Sequence, residues 1–143
     1  MYRLDSTTQT FERWVRGRED LSNMGDVSSY NTLLALNASA QPATCTMPVP
    51  RGGPGVISTT IPPGGWLNFA SDLNAPADVL AEACGIGDIA VAYRLDAATQ
   101  SFQRWIRGRP DLSNMTDLQP YDALLALNAG DELAYCAFPI IMG

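Results

Sequence analysis

Neither lysine nor histidine occurs anywhere in these 143 residues. Without them there is no Schiff-base amine, no imidazole general base and no imidazole metal ligand, which removes the commonest hydrolase and zinc chemistries. The nine cationic side chains are therefore all arginine, set against fifteen carboxylates for a formal charge of −6. That balance lacks the basic footprint a nucleic-acid surface demands. No apolar run approaches the roughly 18 residues needed to cross a bilayer, and the opening residues are polar rather than basic and then apolar. The expectation is a chain with no nucleic-acid partner, no membrane insertion and no cofactor. Cysteine is scarce and odd in number, at three residues. With 46% hydrophobic and 17% charged residues, the chain is nonetheless apolar enough to bury a core.

What the chain does contain is itself, twice. Tyr2–Ala38 and Tyr93–Ala129 align without a gap at an offset of 91, with 25 of 37 positions identical. The shared text is Y-R-L-D-x-x-T-Q-x-F-x-R-W-x-R-G-R-x-D-L-S-N-M, then L-L-A-L-N-A. A period that long is a domain or half-domain rather than a short solenoid unit. Only the second copy is preceded by a front segment, so the chain reads as a partial copy over residues 1–48, a Pro/Gly linker over 49–55 and a complete copy over 56–143, packed as one unit. The first copy thus opens in mid-repeat, either as part of a longer array or as one of two matching halves sharing a connector.

Val91, Tyr93 and Leu95 alternate with Ala92, Arg94 and Asp96, and alternation resumes over Ser101–Arg107 after a short turn, which predicts a β-hairpin. Its twin is Tyr2–Asp5 with Thr10–Arg16. In the second strand Phe11, Arg13 and Val15 share one face, with Glu12, Trp14 and Arg16 on the other. The face carrying Phe and a β-branched residue is expected to point inward, in both copies. L-L-A-L within 31–37 and 122–128 predicts a strand, and the tight-turn residues Asn128-Ala129-Gly130-Asp131 predict a second hairpin with Leu133–Phe138. Val56–Ile61 and Trp66–Phe69 read as strands separated by Pro62-Pro63-Gly64-Gly65. Pro76–Cys84, with proline near its start and Gly85 after its end, predicts one short α-helix.

Cys45 and Cys136 occupy the same repeat position, and Cys84 lies in the front segment. Two readings stand side by side: a Cys84–Cys136 disulfide within the complete copy, or three buried thiols in a reducing compartment. A Cys–His nucleophile is excluded by the missing histidine, so Cys84 is structural.

Three constellations recur in both copies. Trp14 with Arg16, and Trp105 with Arg107, pair an indole with a guanidinium, the chemistry of a sugar-stacking platform or a protein hot spot; Arg18 and Arg109 extend it. Packing between the copies is the structural alternative. Asp20, Asn23 and Asp26, repeated as Asp111, Asn114 and Asp117, offer oxygen ligands at a spacing of three, which fits turn capping better than the alternate-residue spacing of a calcium loop. Asp20 and Asp111 are the carboxylates that would act as acid and base if the two copies faced one another in a glycosidase-like site. A network of Arg and Asp holding a loop is the competing reading.

The text P-P-G-G-W-L-N-F-A (Pro62–Ala70), A-V-A-Y-R-L-D-A-A-T-Q-S-F (Ala90–Phe102) and L-S-N-M-x-x-L-x-x-x-D-A-L-L (Leu112–Leu125) resembles uncharacterised repeats of bacterial cell-surface and secreted proteins, which run G-W-N-L-V-G-W, A-V-Y-R-W-D, L-N-T-L, G-D-A-L-W. The resemblance spans Val56–Ile140 and the back half of a further copy. This chain departs from the pattern at Tyr121, where the pattern has Gly before Asp, and in having Leu in place of a second Trp. The resemblance implies an extracellular β-rich module and carries over no functional residue. The expected fold is a mainly β, internally duplicated, pseudo-two-fold barrel or sandwich with one short helix. The expected function is a non-catalytic binding or adhesion module for carbohydrate or protein, with a swapped homodimer as a possible assembly and a small metal-free hydrolase as the alternative.

Overall fold

The computed structural model describes residues 1–5, 7–26, 32–39, 41, 54–96 and 98–141. It is mainly β, with several antiparallel sheets and no closed barrel among the described residues. The strands are β1 (Tyr2–Asp5), β2 (Thr10–Arg13), β3 (Pro54–Ile61), β4 (Trp66–Ala70), β5 (Ala75–Pro76), β6 (Cys84–Ile86), β7 (Val91–Asp96), β8 (Ser101–Ile106), β9 (Asp117–Leu118), β10 (Ala123–Leu127) and β11 (Ala134–Ile141). They form a four-stranded sheet β4-β10-β7-β8, a three-stranded sheet β3-β11-β6, and the two-stranded pairs β1-β2 and β5-β9. Cys45 and most of the predicted linker lie outside the described residues.

The four-stranded sheet buries the face that carries Leu67, Phe69, Ala92, Trp105, Leu124 and Ala126. These residues sit side by side across the ladder: Leu124 opposite Phe69, Ala126 opposite both Leu67 and Ala92, and Ala92 opposite Trp105. The three-stranded sheet answers with Ile61, Ala134, Cys136 and Phe138, and the Phe69 and Phe138 rings stack at 4.1 Å. Leu80, Ile89, Met115 and Leu118 close the sides of this core. Removing a side chain of that size from water contributes about 1.5–3 kcal/mol each, which is what holds the two sheets face to face.

Two loops cross from the three-stranded sheet to the four-stranded one or back. Pro62-Pro63-Gly64-Gly65 is a turn in which the Gly65 amide donates to the Pro62 carbonyl at 2.9 Å and Gly64 takes φ +64°, the left-handed value that a type II turn requires at its third residue. β10 and β11, predicted as a hairpin, belong to different sheets instead. The fully buried Asn128 ties the two crossovers together: its amide donates to the carbonyls of Ile61 (3.0 Å), Pro62 (3.2 Å) and Glu132 (2.8 Å).

Two further expectations are corrected. The predicted α-helix is a 3-10 helix, Ala77–Glu82, and Cys84 has already left it for β6. Six residues cannot repay the cost of nucleating an α-helix, and its ends are held elsewhere: the Ala77 amide donates to Thr116, and Cys84 is bonded to Cys136. In the first copy the predicted 31–37 strand is reduced, among the described residues, to a single bridge between Tyr2 and Leu34.

In the second copy the inward face of the hairpin is the reverse of the expected one, whereas in the first copy the Phe11 face, with Leu4 buried, turns inward as expected. Trp105 lies in the core at 3% exposure, whereas Phe102 on the opposite face is 61% exposed. Alternation alone could not decide, because both faces of β8 carry a large apolar residue. The Phe face of the four-stranded sheet (Tyr93, Leu95, Phe102, Leu125) turns instead towards the β1-β2 hairpin, which meets it with Tyr2, Leu4 and Phe11 across a cleft of about 180 Å³. The Gln9 side chain clamps the two together, its amide nitrogen donating to the Trp66 carbonyl at 2.9 Å and its oxygen accepting from the Trp66 amide.

Candidate functional site

The two hairpins are built by the same local hydrogen bonds. Asp5 and Asp96 each accept from the backbone amides two and three residues on, and Gln9 and Gln100 close the four-residue loops at φ +56° and +54°. Asn23 and Asn114 accept from the Arg13 and Arg104 amides at 2.7 and 2.6 Å, while the guanidiniums of those arginines donate to Leu21 and Leu112. Ser22 and Ser113 accept from the Val15 and Ile106 amides, both at 2.9 Å. Asn23 and Asn114 thus cap turns, the reading their spacing favoured over calcium ligation.

The paired acids are spent in the same way. Arg18 grips Asp20, and Arg109 grips Asp111, each through two guanidinium nitrogens at 2.6–3.0 Å. Those bonds hold both carboxyls below the usual carboxylate range and raise the arginines above theirs. A glycosidase acid must be held protonated near neutrality, and neither carboxyl is. Asp117 is lowered chiefly by the Gln119 amide and then by Arg94. Asp26 offers its backbone carbonyl to Arg3. Among the described residues, no three acidic or cysteine side chains converge as a metal would need. Cys84 and Cys136 form a disulfide.

The Trp and Arg pairs are where the two copies part. In the second copy the Trp105 indole N–H donates to the Asp78 carboxylate at 2.9 Å, and the Arg107 guanidinium pairs with Asp88 at 2.6 Å. Asn128 bonds the carbonyls of Ile61 and Pro62. All four of these partners belong to the front segment, residues 61–91. In the first copy Trp14 is 45% exposed, and among the described residues neither its N–H nor the Arg16 guanidinium has a partner. Asn37 repeats the local turn of Asn128, donating to the Gln41 carbonyl at 2.8 Å and accepting from the Ser39 amide, but it is exposed and, among the described residues, makes no equivalent of the two front-segment bonds. Ala35, twin of the fully buried Ala126, is likewise exposed.

The structure therefore brings Trp14 and Arg16 to the outer face of the first copy, and takes Trp105 out of any ligand's reach. Sequence reasoning missed Asp78, Asp88 and the Asn37/Asn128 pair. The asparagines were visible in the shared text, whereas the aspartates have no twin and carried no signal. No protein-family model, curated protein or solved structure matches this chain.

Proposed function

We propose that this chain is a non-catalytic binding module of an extracellular, internally duplicated repeat protein, and that it engages its ligand through the Trp14–Arg16 face of the first copy. The observation that carries this reading is the contrast between twins: the same Trp sits at 45% exposure in one copy and 3% in the other. A large aromatic beside a guanidinium, kept at the surface, is the composition of an interface anchor. The twin face of the second copy is covered by polypeptide, with Asp78 on the Trp105 indole and Leu80 in the core, which favours a polypeptide over a sugar. The Cys84–Cys136 disulfide supports an oxidising, extracellular setting, as does the resemblance to bacterial surface repeats.

The test is retention on immobilised polypeptides and glycans, with chromogenic glycosides assayed alongside. Retention without turnover, lost in Trp14→Ala and kept in Asp20→Asn/Asp111→Asn, is the expected result. Turnover that disappears in the double carboxylate variant would overturn the reading in favour of a hydrolase.

A further inference from the structure

The second copy shows what covers a Trp/Arg/Asn face of this kind. Its four-stranded sheet is completed by β4, which pairs along the whole of β10 from Ala123–Ala70 to Leu127–Trp66. The chain then runs through the 3-10 helix that seats Leu80 in the core and offers Asp78 to the indole, and on to Asp88 against Arg107. One segment of about thirty residues thus supplies a strand, an apolar plug, two carboxylates ten positions apart and two carbonyls for the asparagine. On the first copy, residues 32–36 pair with β1 through the Tyr2–Leu34 bridge, as β10 pairs with β7, and among the described residues no strand lies along their other edge.

Resting on the binding-module reading, we infer that the first-copy face is an acceptor for a polypeptide segment with the chemistry of residues 61–91. The incoming chain adds a strand beside residues 32–36, by main-chain pairing of the kind that sheet edges offer. It places one carboxylate on the Trp14 N–H and a second on Arg16, and gives carbonyls to Asn37. Three separate donors on the acceptor, at Trp14, Arg16 and Asn37, match three separate acceptors on the segment, and their spacing is set by the fold of the second copy. The ion pair to Arg16 is exposed and selects register more than it adds affinity. The strand, the plug and the indole bond carry the affinity.

The sequence register allows a direct experiment. Because Met1 aligns with Ala92, a duplicate of residues 61–91 fused directly ahead of Met1 enters the first copy in the register that the natural segment has in the second. The duplicate carries Cys84→Ser so that no thiol is added. In the fused chain, hydrogen exchange of the Trp14 indole is expected to slow by about tenfold or more, as it moves from an exposed site into packed structure. Asp78→Asn in the duplicate alone should return about tenfold of that protection. As a second measurement, the free 61–91 peptide titrated into the unfused, nitrogen-15-labelled chain should shift the Trp14 indole resonance and leave that of Trp105 in place.

Unchanged Trp14 exchange in the fused chain, together with no shift by the peptide, overturns the inference. If Trp14→Ala still abolishes retention of a panel ligand, the binding reading stands and only the partner is wrong. Trp14 protection in the fused chain that is undiminished by Asp78→Asn in the duplicate would show that some other surface covers the indole and would also overturn the proposal.

Discussion

Trp105 and Asp78 are 27 residues apart in sequence and joined by a 2.9 Å hydrogen bond from the indole N–H to the carboxylate, at the point where the 3-10 helix closes the core. The bond connects the repeated half of the copy to its front segment, and its first-copy counterpart, Trp14, has no such acceptor among the described residues. Trp105→Ala should therefore destabilise the protein by about 3–5 kcal/mol, through the cavity it leaves. Trp14→Ala should cost less than about 1 kcal/mol. Asp78→Asn should fall between, at about 1–2 kcal/mol, since a charge-assisted bond at a partly open site is weakened and not abolished. Urea denaturation of the three variants checks the order.

The disulfide closes a loop with a sequence separation of 52 and pins β6 to β11. Cross-linking that span reduces the entropy of the unfolded chain, worth about 4 kcal/mol in the chain-entropy account. The Cys84→Ser/Cys136→Ser variant is expected to lose most of that stability, and reducing agent should lower the thermal midpoint of the native chain and leave the variant's unchanged.

Gln119-Pro120-Tyr121-Asp122 is a turn in which the Asp122 amide donates to Gln119 at 3.0 Å and Tyr121 is held at φ +72°. A side chain held at such a φ costs about 1–2 kcal/mol. The Tyr121 ring is exposed and gives little packing in return. Tyr121→Gly is expected to raise stability by about 1 kcal/mol, and a fall in thermal midpoint would show that the ring has an unrecognised contact.

Gly87 makes the opposite prediction. It sits at φ +70°, and a Cβ built on it would come within 2.6 Å of the Ala134 Cα, which is backbone and cannot swing aside. Gly108 has a similar φ of +66° with nothing near its would-be Cβ. Gly108→Ala should cost about 1–2 kcal/mol from backbone strain alone, and Gly87→Ala should cost more and spread β6 from β11, measurable as faster amide exchange at Tyr135.

Five carboxyls are held below their ordinary value of 3.8 in the folded chain: Asp5 chiefly by the Thr7 amide, Asp96 chiefly by the Thr99 hydroxyl, Asp20 and Asp111 by their arginines, and Asp117 chiefly by Gln119. Each is deprotonated more readily folded than unfolded, so the unfolded chain binds more protons between the two values and stability rises with pH there. Their contribution is complete above about pH 4–5 and is lost as pH falls through the lowered values. Thermal midpoints should be flat from about pH 5 upward as far as these groups are concerned and decline in stronger acid, with the Asp20 and Asp111 resonances titrating below a reference aspartate. Arg18→Ala should bring Asp20 back towards 3.8.

The sequence by itself determined the local structure. The Asp-x-x-Thr-Gln hairpin loops and the Pro-Pro-Gly-Gly turn depend on interactions within a few residues, which turn chemistry and alternation record directly, whereas L-L-A-L is a strand in the second copy, between β4 and β7, and a single bridge among the described residues of the first. Only the tertiary structure decided which face of each hairpin is buried. β8 carries Phe102 and Ile106 on one side and Trp105 on the other, so both sides satisfy the period-two rule, and the choice was made by residues far along the chain: Phe138 against Phe69, Leu80 beneath the sheet, Asp78 on the indole. For the same reason, two nearly identical stretches acquire different surfaces. Trp14 and Trp105 share their neighbours in sequence, but only Trp105 has the front segment folded over it, and burial is a property of what packs against a face rather than of the face itself.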